Sequence, residues 1–176
     1  MSHDIVSHMS IQKYTSFLGE KTHREANEET YYPFLFEIEP KVKLGAKNFE
    51  EEYKKAIGEA LRIVNYGKYE LDMHEEDILI LINNSRSIYI MFNPKSYGLK
   101  PSNKLYMIYR EMYKIIDEEI GLQYVDTSIY NSYGLMKTPN SYYAGGYFRK
   151  ITIEQLKKLY SNPWIKNNFY IYQKNL

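Results

Sequence analysis

Cysteine is absent from this 176-residue chain, which excludes disulfides, thiolate metal sites and iron–sulfur clusters. An excess of charge of one sign is missing too. The formal net charge is +1, so no global field draws the chain to nucleic acid, and any basic surface has to be local. No apolar run approaches the roughly 20 residues of a membrane span, so no membrane partner is expected. The first ten residues are polar and lack the apolar core of a signal peptide. Together these absences lead to the expectation of an intracellular, cytoplasmic protein. Histidine is scarce as well. His3 and His8 lie in the N-terminal segment and carry no site argument, and His74, beside Glu75, Glu76 and Asp77, reads as part of a surface turn.

What is present is an ordinary globular composition, 44% hydrophobic and 26% charged, in a length that suits one domain. Residues 1–10 read as a disordered or tag-derived N-terminus and residues 11–176 as a single domain. The 20 tyrosines have two readings. Rings of this kind form stacking platforms for unpaired bases. The plainer reading is the bias towards Tyr, Lys, Asn and Ile of AT-rich coding sequence.

Periodicity gives the elements. Phe34, Phe36 and Ile38 alternate with Leu35, Glu37 and Glu39, which predicts a strand stopped by Pro40. A basic loop follows from Lys41 to Lys47. Asn48 with Glu51 reads as a capping box opening a helix, with Phe49, Tyr53, Ala56, Ile57, Ala60, Leu61 and Val64 on one stripe and an end near 65–67. Two apolar runs, 77–82 and 87–92, predict a hairpin around residues 83–86. Ser102 or Asn103 is expected to cap a second long helix, with Leu105, Ile108, Tyr109, Met112, Ile115, Ile116 and Ile120 on its face and Gly121 as its stop. Residues 122–128 read as extended, 137–142 as loop and 147–151 as a strand. Thr152 with Gln155 opens a short helix ending before Pro163, and the aromatic tail 164–176 is expected to end in a last strand. Helices alternating with short strands argue for an α+β (α/β) fold, a mixed or antiparallel sheet flanked by helices.

Three acids stand out. In a strand Glu37 and Glu39 share one face, about 7 Å apart, where two carboxylates can jointly ligate a metal. Asp126 adds a third in the extended stretch Tyr124-Val125-Asp126-Thr127-Ser128. A site for a divalent metal and a nucleoside triphosphate needs such a set, because magnesium takes several hard oxygens and shares them with phosphates. Taken singly, each acid also reads as ordinary surface charge.

The order and context of these segments resemble the catalytic domain of the archaeo-eukaryotic primase family, which includes the primase-polymerases of plasmids and viruses. That family's first motif, an acid–apolar–acid strand end, corresponds to Glu37-Ile38-Glu39, with glutamates where aspartates are usual. Its second, a small residue, any residue, then histidine, corresponds to Ser87-Ile88-Tyr89, with tyrosine for histidine. Its third corresponds to Val125-Asp126. Lys137-Thr138-Pro139-Asn140-Ser141, Gly145-Gly146 and the helix opening at Thr152 are similar to the block downstream. The likeness covers roughly residues 11–160.

The resemblance implies a primase-polymerase-like fold with an RRM-like core and a role in DNA replication. Its activity would be template-directed nucleotidyl transfer dependent on Mg2+ or Mn2+. Glu37, Glu39 and Asp126 would be the catalytic metal ligands. Arg86, Ser87, Tyr89, Lys137 and Asn140 would hold the nucleotide. Lys41, Lys43 and Lys47 would contact nucleic acid. Partners would be single-stranded or primed nucleic acid, nucleoside triphosphates and other primase or replication subunits. Tyrosine carries no positive charge at neutral pH, so Arg86 or Arg149 would replace what histidine gives. With two motifs altered, a second expectation stands beside the enzyme: a catalytically degenerate accessory subunit, or a nucleic-acid-binding domain of a plasmid or viral replication complex.

Overall fold

Alternating apolar residues build the strands and 3.6-residue stripes build the helices, in an α+β order. The computed structural model describes residues 8–10, 13–14, 30–83, 87–130, 135–137, 142–143 and 146–161. Its elements begin with β1 (His8–Ser10), β2 (Lys13–Tyr14), β3 (Thr30–Tyr31), β4 (Phe34–Ile38) and α1 (Phe49–Tyr69). The hairpin follows as β5 (Ile78–Asn83) and β6 (Ile88–Phe92), then α2 (Leu105–Ile120). The last described elements are β7 (Leu135–Lys137), β8 (Tyr142–Tyr143), β9 (Gly146–Ile151) and α3 (Ile153–Ser161). No helix among the described residues is long and apolar enough to cross a membrane.

The main sheet runs β4-β6-β5-β9-β8, every neighbouring pair antiparallel. Because β4 and β5 both run against β6, they are parallel to each other, with α1 crossing between them. That is a split βαβ unit, one strand inserted in the middle. Val125, just after α2, forms an isolated antiparallel bridge with Ile38 on the outer edge of β4. The segment after α2 therefore runs parallel to β6, with β4 between them, and two split βαβ units interleave.

Cross-strand register puts Phe36, Ile90 and Ile80 in one row and Phe34, Phe92 and Ile78 in another. The helices cover this face. Phe34 stacks on Tyr109 of α2 with centroids 4.9 Å apart. Gly67 of α1 lies so close to Phe92 that a Cβ there would meet the ring at 2.7 Å. This close approach explains why α1 runs through Gly67 to Tyr69 instead of stopping near residues 65–67: the glycine serves packing. α3 lies against α1.

Many of the tyrosines belong to this core. Tyr53, Tyr109 and Tyr130 are buried and donate their hydroxyls to the carbonyls of Asn83, Tyr32 and Leu35. Burial pushes all three phenols above their ordinary pKa.

Local expectations fare unevenly. Thr152 and Gln155 form the reciprocal capping box, and Gly121 ends α2 in the left-handed region at φ 64°. Asn48 occupies the cap of α1 but makes no side-chain cap bond. Lys104 takes the cap position of α2, with its N–H on the Ser102 hydroxyl. Ile115 is 54% exposed, because α2 buries the stripe of Leu105, Tyr109 and Ile116. His8–Ser10, within the segment read as a disordered or tag-derived N-terminus, pair with β7, which also takes Lys137 out of the expected loop. The strand expected in the tail lies outside the described residues.

Candidate functional site

The Ile38–Val125 bridge brings the three acids to one place. Asp126 N–H donates to Glu37 O at 2.8 Å, and Glu39 N–H donates to Tyr124 O at 3.0 Å. Glu37 thus stands across from Asp126, and Glu39 lies two residues on, on the same face. This face is opposite the one that α1 and α2 cover, and it carries Leu35, Tyr89 and Met91 as cross-strand partners.

Each glutamate is held by a hydroxyl from the neighbouring segment. Tyr89, paired with Glu37 in the β4–β6 ladder, donates its hydroxyl to Glu37 Oε1 at 3.1 Å. Ser87 donates to Glu39 Oε1 at 2.7 Å. Tyr89 is only 1% exposed and stacks on Phe148 with centroids 4.9 Å apart. Ser87 is buried as well. Both residues therefore touch the acids, where the sequence reading expected contacts to a nucleotide. A neutral hydroxyl on a carboxylate fixes its rotamer without cancelling its charge, as the outer partners of metal-ligating carboxylates do. Asp126 is exposed, and its carboxylate accepts from Ser128 N–H at 2.8 Å, capping a single 3-10 turn at Thr127–Ile129.

Carboxylate oxygens are the right donors for magnesium or manganese, and backbone register sets all three acids on one face. As the side chains stand they do not converge. Among the described residues no three of His, Asp or Glu are close enough to share an ion. Asp126 is turned onto Ser128 N–H, and Glu37 and Glu39 onto the hydroxyls of Tyr89 and Ser87.

The basic loop follows directly from β4. Lys41, Lys43 and Lys47 are exposed, and Lys41 Nζ lies 5.2 Å from the centre of the Tyr124 ring. Lys41 therefore stands beside the acid-bearing segment. Tyr124 also donates its hydroxyl to Glu52 at 3.1 Å. Desolvation raises the Tyr124 pKa, and the bond to Glu52 raises it further. A cleft of about 490 Å3 opens between α1 and residues 121–124, with Lys55, Arg62, Gln123, Tyr124 and Tyr160 among its lining and no residue of the basic loop. None of Glu37, Glu39 and Asp126 lines it.

Other expected residues fall elsewhere. Arg86 and Asn140 lie outside the described residues, and Lys137 is placed only as a backbone position in β7. Arg149 pairs with Ile82 and so sits on the helix-covered side, with β5 and β6 between its strand and β4. It does not replace a histidine beside Glu37. His74 is exposed, as expected of a surface turn.

One residue of the site was missed. Glu59 on α1 is buried, and its two carboxylate oxygens accept from Gln123 N–H and Tyr124 N–H, both at 2.7 Å. The signal was there to read: an acid within the apolar stripe, beside Ala60 and one turn before Ile63. No family model matches this chain, and no curated protein or solved structure does so either.

Proposed function

We propose that this chain is a primase-polymerase-like domain whose acidic strand end binds a divalent metal and a nucleoside triphosphate for template-directed nucleotidyl transfer. The observation that carries this reading is the Ile38–Val125 bridge, which sets Glu37 across from Asp126 and beside Glu39. Glu37 and Asp126, 89 residues apart in sequence, stand at one edge of an interleaved pair of split βαβ units, an order that suits an RRM-like core.

In this reading Glu37, Glu39 and Asp126 would hold Mg2+ or Mn2+. The bound ion would neutralise triphosphate charge and lower the pKa of the attacking 3′-hydroxyl. Ser87 and Tyr89 orient the two glutamates through the hydroxyl bonds described above. The 3′-hydroxyl would pass its proton to solvent and its oxygen would attack the α-phosphorus in line, forming a phosphodiester bond as the bond to pyrophosphate breaks. Lys41, Lys43 and Lys47 contact the backbone of single-stranded or primed nucleic acid. Magnesium- or manganese-dependent extension of a primed template is expected from the natural chain and not from Asp126→Ala. Equal extension by both proteins would remove the proposal.

A second reading keeps the ancestry and drops the chemistry: a nucleic-acid-binding or accessory domain of a replication complex. The observation favouring it is that the carboxylates do not converge, Asp126 being turned onto Ser128. It expects single-strand binding that survives replacement of all three acids.

A further inference from the structure

Glu59 is the only buried carboxylate among the described residues, 1% exposed on the inner side of α1. Burying a carboxylate costs several kcal/mol unless its oxygens are satisfied, and a leucine would fill the same space without that cost. Its bonds show what it does instead. Gln123 N–H donates to one oxygen and Tyr124 N–H to the other, 64 and 65 residues away in sequence. Charge-assisted bonds of this kind are about twice as strong as neutral ones. Arg62 reaches the same carboxylate at 3.3 Å and the Gly121 carbonyl at 3.0 Å. Asp117 accepts from Leu122 N–H at 2.7 Å. Ionic side chains of α1 and α2 thus strap residues 121–124 one after another.

This segment leads straight to the acids. Tyr124, whose N–H is on Glu59, gives its carbonyl to Glu39 N–H, and two residues on Asp126 N–H is on Glu37 O. The strand pairing there is a single bridge, so the ladder alone fixes the register weakly. A slip of one residue would turn Asp126 to the opposite face.

We propose that Glu59 is a positioning residue of the metal site, holding residues 123–124 so that Asp126 stays across from Glu37. The inference rests on the metal-binding reading above. Glu59→Gln keeps the size but turns an amide NH2 towards a backbone N–H. Asp117→Ala loosens the same loop through a part-buried bond, without leaving a buried group unpaired.

The test is Mn2+ affinity by calorimetry on the full chain, with amide hydrogen exchange at residues 122–126. The expected result is Mn2+ binding by the natural chain and a loss on the order of tenfold in Glu59→Gln. A loss of about threefold is expected in Asp117→Ala. Exchange at Val125 and Asp126 should speed up in both. If the natural chain binds Mn2+ and both variants bind it equally well, the positioning role is overturned while the metal reading stands. If the natural chain binds no Mn2+, the metal reading fails and takes this inference with it. Should Glu59→Gln not fold, Asp117→Ala decides: faster exchange with unchanged affinity overturns the role.

Discussion

The two edges of the central three strands are closed in opposite ways. On the β5 side, β9 adds a ladder from Ile80↔Ile151 to Asn83↔Phe148, with Phe148 and Ile151 buried. On the β4 side the described residues make one bridge, at Val125, secured by side chains: Glu59 on two amides and Tyr130 on the Leu35 carbonyl. Backbone pairing with apolar packing makes the first edge a structural wall. The second keeps short backbone contact and places three acids there. An edge held by polar side chains leaves carboxylates at the surface, which a continuous apolar ladder would not.

Breaking the ladder side should cost the most stability. Phe148→Ala removes a buried ring stacked on Tyr89 and is expected to lower the unfolding free energy by about 3–5 kcal/mol in urea titration. A loss below about 1 kcal/mol would mean that β9 is an ornament to the sheet.

Alkaline pH should loosen both edges together, since Tyr53 bonds Asn83 at the end of β5 and Tyr130 bonds Leu35 on β4. Their pKa values are raised above 10.0 in the folded chain, so above that pH the unfolded chain binds fewer protons. The stabilisation is whole below pH 10 and is lost as pH rises, by up to about 1.4 kcal/mol per tyrosine per pH unit. Chemical denaturation at pH 9, 10 and 11 measures it, and a flat profile would contradict the burial of these phenols.

Smaller still is the effect expected at the acids. Tyr89→Phe removes the hydroxyl on Glu37 and should cost about 1 kcal/mol. In a double-mutant cycle with Glu37→Gln the coupling should account for most of that loss. Independent, additive losses would show that the hydroxyl and carboxylate do not act as a pair.

How much of this was legible in the sequence follows the same division. Alternation in 34–38 and 88–92, the apolar run before Asn83, and the box at Thr152 marked the strands and α3, because each is a local pattern. The three acids were legible as a group only through their order and motif context. The bridge that unites them was not, since one residue of pairing leaves no periodic trace in 122–128. Glu59 was hidden by its company: apolar neighbours define a stripe, and the acid within it was passed over. Gly67 was misread because its reason for being glycine is the Phe92 ring on a different element. Tyr89 read as a nucleotide contact because sequence gives its strand and not its partner, which the register supplies as Glu37.

The most direct test of the central claim is calorimetric titration of a nucleoside triphosphate into the natural chain and into Asp126→Ala, with and without manganese. Asp126 is exposed and caps only one short turn, so its loss should leave the fold intact. Metal-dependent binding in the natural chain that vanishes in the variant is the expected result. Binding that is absent in both proteins, or equal in both, would contradict a metal–nucleotide site at the Glu37–Asp126 edge.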